Sequence, residues 1–131
     1  MTFAEHVATR TLWAECRGEP EEGQRAVAHV LVNRMRDGRW GSTLASVCLA
    51  PSQFSSWNTT DQNRKSLALL SDGDAMLVKL GGFLAEALAG GADPTEGATH
   101  YYATSMATPP FWAKGKPFVQ IGRHRFFKDI K

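Results

Sequence analysis

Ala26, Val27, Ala28, Val30, Leu31, Val32 and Met35 follow one another closely. Wound at about 100° per residue, they cover almost the whole circumference of a helix. A helix that is apolar on most sides must be surrounded, so this segment is expected at the centre of the fold. Its ends are marked. Pro20 suits a first turn, Glu21 and Glu22 complement the positive N-terminal end, and Asp37-Gly38 stops it. A chain of 131 residues can wrap one such helix without metals or disulfides, so residues 1–131 are expected to form one domain.

The preceding segment is also helical in pattern. Thr2 followed by Glu5 is a capping-box start. Ala4, Ala8 and Thr11 lie within about 40° of one another, flanked by Val7 and Leu12, while Glu5, Thr9 and Arg10 fall elsewhere. Glu15 comes within about 20° of Ala4, inside that stripe, just before Gly18 ends the helix. Two readings of Glu15 stand side by side. It is a surface carboxylate at a frayed helix end, beside Arg17 or Arg10, or it is a general acid. A carboxyl group against an apolar face has a raised pKa, and a charged one at a helix C-terminus is unfavourable. A protonated acid avoids both penalties. Glu19 is either a cap or first-turn acid of the central helix, or a group that orients Arg17 and shapes the Glu15 pocket.

Further along, Ser42 is positioned to cap a short helix holding Leu44, Val47 and Leu49. Pro51 then breaks the chain into a polar and aromatic loop. Gln53, Ser55, Phe54 and Trp57 supply an amide, a hydroxyl and two rings there. Such a loop suits a sugar site, or it is a turn with both rings in the core. Residues 61–70 read as another short helix, and a longer one starts at Asp72 or Asp74 and runs through Leu88 to Gly90-Gly91. Phe118–Ile121, the turn Gly122-Arg123 and His124–Phe127 form a β-hairpin pattern. Of Tyr101 and Tyr102, one is expected inside and the other at a cleft. The fold class is mainly α (α+β) with a small C-terminal β-hairpin.

Several classes are disfavoured. A formal net charge of +2 with scattered Arg and Lys is no nucleic-acid signature. No run reaches the 18 or so apolar residues of a membrane span, so no membrane anchor is expected. Met1–His6 lacks the order of a signal peptide, which suggests a chain made in the cytoplasm. His6, His29, His100 and His124 form no spaced ligand set, and no phosphate-binding glycine loop or nucleophile elbow occurs. No metal or cofactor is therefore expected. Cys16 and Cys48 are two buried thiols, one disulfide pinning the Glu15 helix end to the middle segment, or, least simply, a catalytic thiol.

Trp13-Ala14-Glu15-Cys16-Arg17-Gly18-Glu19-Pro20, then Glu22-Gly23-Gln24-Arg25-Ala26-Val27-Ala28 and Val32-Asn33-Arg34, resemble a known signature. So do Pro51–Ser55 with Trp57, Gly97-Ala98-Thr99-His100-Tyr101-Tyr102, and Ile121-Gly122-Arg123-His124-Arg125-Phe126-Phe127, in that order. The family is the cell wall hydrolases named for the spore-cortex-lytic enzymes. The resemblance implies a lysozyme-like helical domain that cuts the glycan strand of peptidoglycan. It implies Glu15 as the catalytic acid and Gln53 and Tyr102 as cleft residues. Ser55 and Glu19 join these two as expected substrate-binding residues. The bond would be the β-1,4 link between N-acetylmuramic acid and N-acetylglucosamine. Two-carboxylate glycosidases place their acids about 5–9.5 Å apart. Glu19 and Asp61 are poor second acids, so Glu15 is expected to serve as acid and then base, by lytic transglycosylation or by hydrolysis. The alternatives are an N-acetylmuramoyl-L-alanine amidase and a non-catalytic wall-binding module. A monomeric, single-domain phage endolysin acting at the host wall is the expected setting, with peptidoglycan as partner.

Overall fold

A computed structural model describes residues 1–50, 54 and 63–131. Among the described residues, five helices are followed by a three-stranded sheet: α1 (Phe3–Cys16), α2 (Glu21–Asp37), α3 (Leu44–Leu49), α4 (Asn63–Leu69), α5 (Ala75–Leu88), β1 (His100–Ala103), β2 (Val119–Ile121) and β3 (His124–Phe127). A short 3-10 turn, Phe111–Ala113, lies between β1 and β2.

The central helix is α2, as its composition requires. Val27, Ala28, Val30, Leu31 and Val32 are fully buried. Each buried Val or Leu contributes roughly 1.5–3 kcal/mol. Pro20 occupies the position before the helix, and Gly38 closes it at φ +88°, where its N–H donates to Arg34 O at 3.1 Å.

α1 is more deeply enclosed than its stripe predicts. Thr9 and Arg10 are buried too, which corrects the expected one-sided burial. Their polar groups are satisfied, so burial is tolerated. Thr9 Oγ1 donates to Glu5 O at 2.7 Å. The Arg10 guanidinium donates to Leu70 O at 3.0 Å and to Asp72 at 2.9 Å. Thr2 caps α1 by accepting the Glu5 N–H at 3.1 Å. α3 is capped by Thr43 with Ser46, one residue later than expected. Asp74 caps α5 through the N–H groups of Met76 and Leu77.

The hairpin forms with its turn at Gly122-Arg123, and β1 adds a third strand. The order is β1-β3-β2, all antiparallel, with Tyr101 opposite Phe126 and Tyr102 opposite Arg125. Alternation then sends neighbouring side chains to opposite faces. Tyr101 and Phe126 pack against the helical core. Tyr102 and Phe127 join Ala113, Ile130 and Trp112 in a small cluster on the outer face. Asn33 and Arg34, at the end of α2, tie down the approach to β1. Asn33 Nδ2 donates to Asp93 at 2.8 Å and to Ala98 O at 2.9 Å, and Arg34 Nε donates to Thr99 O at 2.6 Å. Among the described residues, no helix is long and apolar enough to cross a membrane.

Candidate active site

Glu15 stands in the last turn of α1, half-buried. The Tyr101 hydroxyl, 86 residues further along the chain, donates to its Oε1 at 2.6 Å. β1 holds that phenol in place. Its ring stacks on Phe126 with centroids 5.6 Å apart and meets the His124 ring edge-on at 5.3 Å. Burial, then the Glu15 charge and the hydrogen bond itself, push the Tyr101 hydroxyl well above its ordinary value. It therefore stays protonated and acts as a donor.

Arg34 is a buried cation nearby; burial lowers its pKa and the Glu15 charge opposes that shift. Its guanidinium lies over the Trp40 ring at 4.5 Å and near Phe54 at 5.3 Å. Arg17 folds back on its own helix, donating to Trp13 O at 3.1 Å and covering the Trp13 ring.

Glu19 is buried, and its carboxylate is held by the β2–β3 turn. Arg123 donates to it from the backbone N–H at 3.2 Å, from Nε at 2.9 Å, and from Nη2. His124 Nδ1 lies 3.1 Å from Oε1, without the alignment of a hydrogen bond. Burial pushes the Glu19 carboxyl up. The Arg123 hydrogen bonds and the His124 and Arg123 charges outweigh this and hold it below its usual value. Two glycines leave room for this contact. A Cβ on Gly23 would come within 3.1 Å of Glu19 Cβ, and one on Gly122 within 3.3 Å of Oε1. Gly122 also has φ +58°, in the region that favours glycine.

Glu15, Glu19, Arg17 and Arg123 line one open depression of about 290 Å³. Among the described residues that line it, Glu19 is the one other carboxylate. Both cysteines are buried free thiols. Burial, then the charges of Glu15 and Glu19, push the Cys16 thiol far up, and Cys48 is pushed up to about 11, mainly by burial. Both stay protonated at neutral pH and are poor nucleophiles.

These elements have counterparts in known proteins. The sequence profile of the family described as Cell Wall Hydrolase matches residues 18–127. The chain belongs to the cell wall hydrolase family. The match begins at Gly18, so Glu15 stands just before it. The spore cortex-lytic enzyme of Bacillus subtilis (strain 168) is 30% identical over 118 residues, which cover 89% of this chain and 35% of that protein. The spore cortex-lytic enzyme of Oceanobacillus iheyensis is 31% identical over 124 residues, covering 89% of this chain and 38% of that protein. The chain thus spans little more than a third of these relatives' length. The crystal structure of the catalytic domain of the Bacillus cereus SleB protein superposes with a TM-score of 0.75 at 27% identity. It covers 95% of this chain and 89% of that domain. The catalytic domain of the germination-specific lytic transglycosylase SleB from Bacillus anthracis gives 0.73 at 25% identity, covering 98% and 97%.

Within this cell wall hydrolase fold, the expected site residues separate. Glu15 and Glu19 share the depression, but the Glu19 carboxylate is engaged by Arg123 rather than by Arg17. Tyr102 is not brought to Glu15. It is stacked on Phe127 at 5.6 Å on the outer face, and its hydroxyl accepts from Arg125 Nη1 at 3.2 Å. Gln53, Ser55, Trp57 and Asp61 lie outside the described residues, and Phe54 is buried in the core. The sequence motifs contain Tyr101, Arg34, Arg123 and His124 but do not mark them as neighbours of Glu15 and Glu19. Strand alternation offered a signal for one of them. Only one of two adjacent tyrosines in β1 can face the helices.

Proposed function

We propose that this domain cleaves the glycan strand of peptidoglycan at the β-1,4 bond between N-acetylmuramic acid and N-acetylglucosamine, by lytic transglycosylation. The observation that carries this reading is the 2.6 Å hydrogen bond from Tyr101 to Glu15 in an open depression whose other carboxylate is held by Arg123. One carboxyl group is left to move protons, and its orientation is set by a neutral donor.

With Oε1 accepting from Tyr101, the acid proton of Glu15 belongs on the other oxygen. From there it passes to the glycosidic oxygen as the bond to the anomeric carbon breaks. Positive charge develops at that carbon as an oxocarbenium-like state. The substrate's own acetamido oxygen stabilises it, since Glu19 is not free to do so. The Glu15 carboxylate then removes the proton from the muramic 6-hydroxyl, whose oxygen closes on the anomeric carbon. The product is a 1,6-anhydro sugar, and Glu15 is again protonated. The lytic transglycosylase named among the structural relatives supports this outcome over attack by water.

Purified peptidoglycan treated with the protein should release muropeptides that are one water lighter than hydrolysis products, as read by mass spectrometry. Fully hydrated reducing ends would convert the reading to a muramidase, and free stem peptides would convert it to an amidase. Glu15→Gln should abolish release, because general acid–base help is worth about 10²–10⁴-fold. Clearance at the parent rate by that variant would end the Glu15 assignment.

A further inference from the structure

A groove of about 520 Å³ runs over the outer face of the sheet. It shares no lining residue with the Glu15 depression. Tyr102, stacked on Phe127, forms part of its lining. Phe111 and Phe118 rise beside it, 92% and 47% exposed. Lys114, Lys116 and Arg125 stand around these rings, and among the described residues no Asp or Glu lines the groove. The Arg125 guanidinium covers the Phe118 ring at 4.6 Å and donates to Tyr102 Oη, so this cation is held in place against the aromatic surface.

Phe111 contributes almost nothing to the core, and hydrophobic cohesion does not explain its position. A contiguous apolar patch left in water marks an interaction surface. Two features narrow the partner. Exposed rings offer stacking surfaces to the apolar faces of sugar rings. Three cations, with no acid among the described lining residues, favour a ligand that carries negative charge. Peptidoglycan has both properties, in its pyranose rings and in the free carboxylates of its stem peptides. We infer that this groove binds a second stretch of peptidoglycan, outside the depression where Glu15 acts, and keeps the protein on the wall between cuts. The inference rests on the reading of peptidoglycan as substrate.

The test is co-sedimentation of Glu15→Gln with purified sacculi stripped of secondary wall polymers, in the cold. Adding Phe111→Ser, Lys114→Glu and Lys116→Glu should raise the apparent dissociation constant about tenfold or more. The melting curve should not move, because all three side chains face solvent. Lys114→Arg with Lys116→Arg should bind like the parent. In the active chain, the triple change should slow solubilisation of intact sacculi and leave turnover of short soluble glycan fragments at the parent rate. Unchanged retention on stripped sacculi overturns the inference. So does a loss seen only on walls that still carry acidic polymers, or an equal loss of turnover on short fragments. The Glu15 reading fails separately, if Glu15→Gln itself releases fragments. Retention is scored on the pelleted wall and does not depend on cleavage.

Discussion

Glu15 accepts a hydrogen bond from a phenol, whereas Glu19, four residues on, is held by a guanidinium with an imidazole beside it. The two carboxylates line the same depression and are joined by a short turn. Their partners decide what each can do. A neutral donor orients a carboxyl group without fixing its charge. A cation whose two nitrogens donate to one carboxylate oxygen stabilises the ionised form and holds it out of proton exchange. Under the proposed mechanism, the comparison teaches that two acids of one motif are told apart by the state of the opposing donor rather than by position. Glu19 serves the hairpin, and the hairpin carries β3, against which Tyr101 packs.

The comparison can be broken most directly by neutralising each acid in turn. Glu15→Gln should lower release of glycan fragments by about 10²–10⁴-fold while the melting temperature stays close to the parent's. Glu19→Gln should do the reverse in kind. Hydrogen bonds to charged groups are worth about 1.5–3 kcal/mol, so that variant should lose roughly this much stability by urea titration. Arg123 is 71% exposed and is not stranded by the change, which keeps the loss below that of a fully buried pair. Equal loss of activity with no loss of stability in both variants would erase the distinction.

Titration sharpens it further. Glu19 is held below its ordinary value in the folded chain, so its contribution is fully present above the unfolded carboxyl pKa of about 4.3. That contribution is lost as the pH falls through the lowered folded value. Acid unfolding followed by tryptophan fluorescence should show this loss below pH about 4, and Glu19→Gln should be flatter over the same interval.

Tyr101→Phe removes the donor and keeps the ring. The loss of one neutral hydrogen bond, to the protonated Glu15 carboxyl group of the proposed mechanism, about 1.4 kcal/mol, corresponds to about tenfold in kcat. Fragment release under saturating substrate measures it. The smallest effect belongs to Tyr102→Phe. Its hydroxyl accepts from the half-buried Arg125, so stability should change by about 0.5–1 kcal/mol and kcat should hold. A larger fall in kcat for Tyr102→Phe than for Tyr101→Phe would reverse the roles of the two tyrosines.

How much of this was legible depended on how local the cause was. The burial of α2 follows from residues 26–35 alone, and the β2–β3 hairpin from a Gly-Arg turn between two aromatic and aliphatic runs. The burial of Arg10 was hidden because its acceptors, Leu70 O and Asp72, lie 60 and 62 residues away. Glu15 was visible as an acid in an apolar stripe, but Tyr101 was not visible as its donor. The choice between Tyr101 and Tyr102 depends on how β1 pairs with β3, and a one-residue slip would exchange them. Local sequence offers Glu19 a helix start or the neighbouring Arg17 and the Glu15 pocket, but not Arg123, because that partner is 104 residues away.

The long spans closed by these contacts have a consequence for synthesis. The chain emerges with its two carboxylates early and their partners late, since Tyr101 and Arg123 follow by 86 and 104 residues. Contacts this distant in sequence form slowly and only after the intervening chain has been ordered. The helices can collapse around α2 first, as an assembled but chemically idle core. The partners of both carboxylates arrive only when β1 and the β2–β3 turn join that core, so under the proposed mechanism the acid has no oriented donor before then.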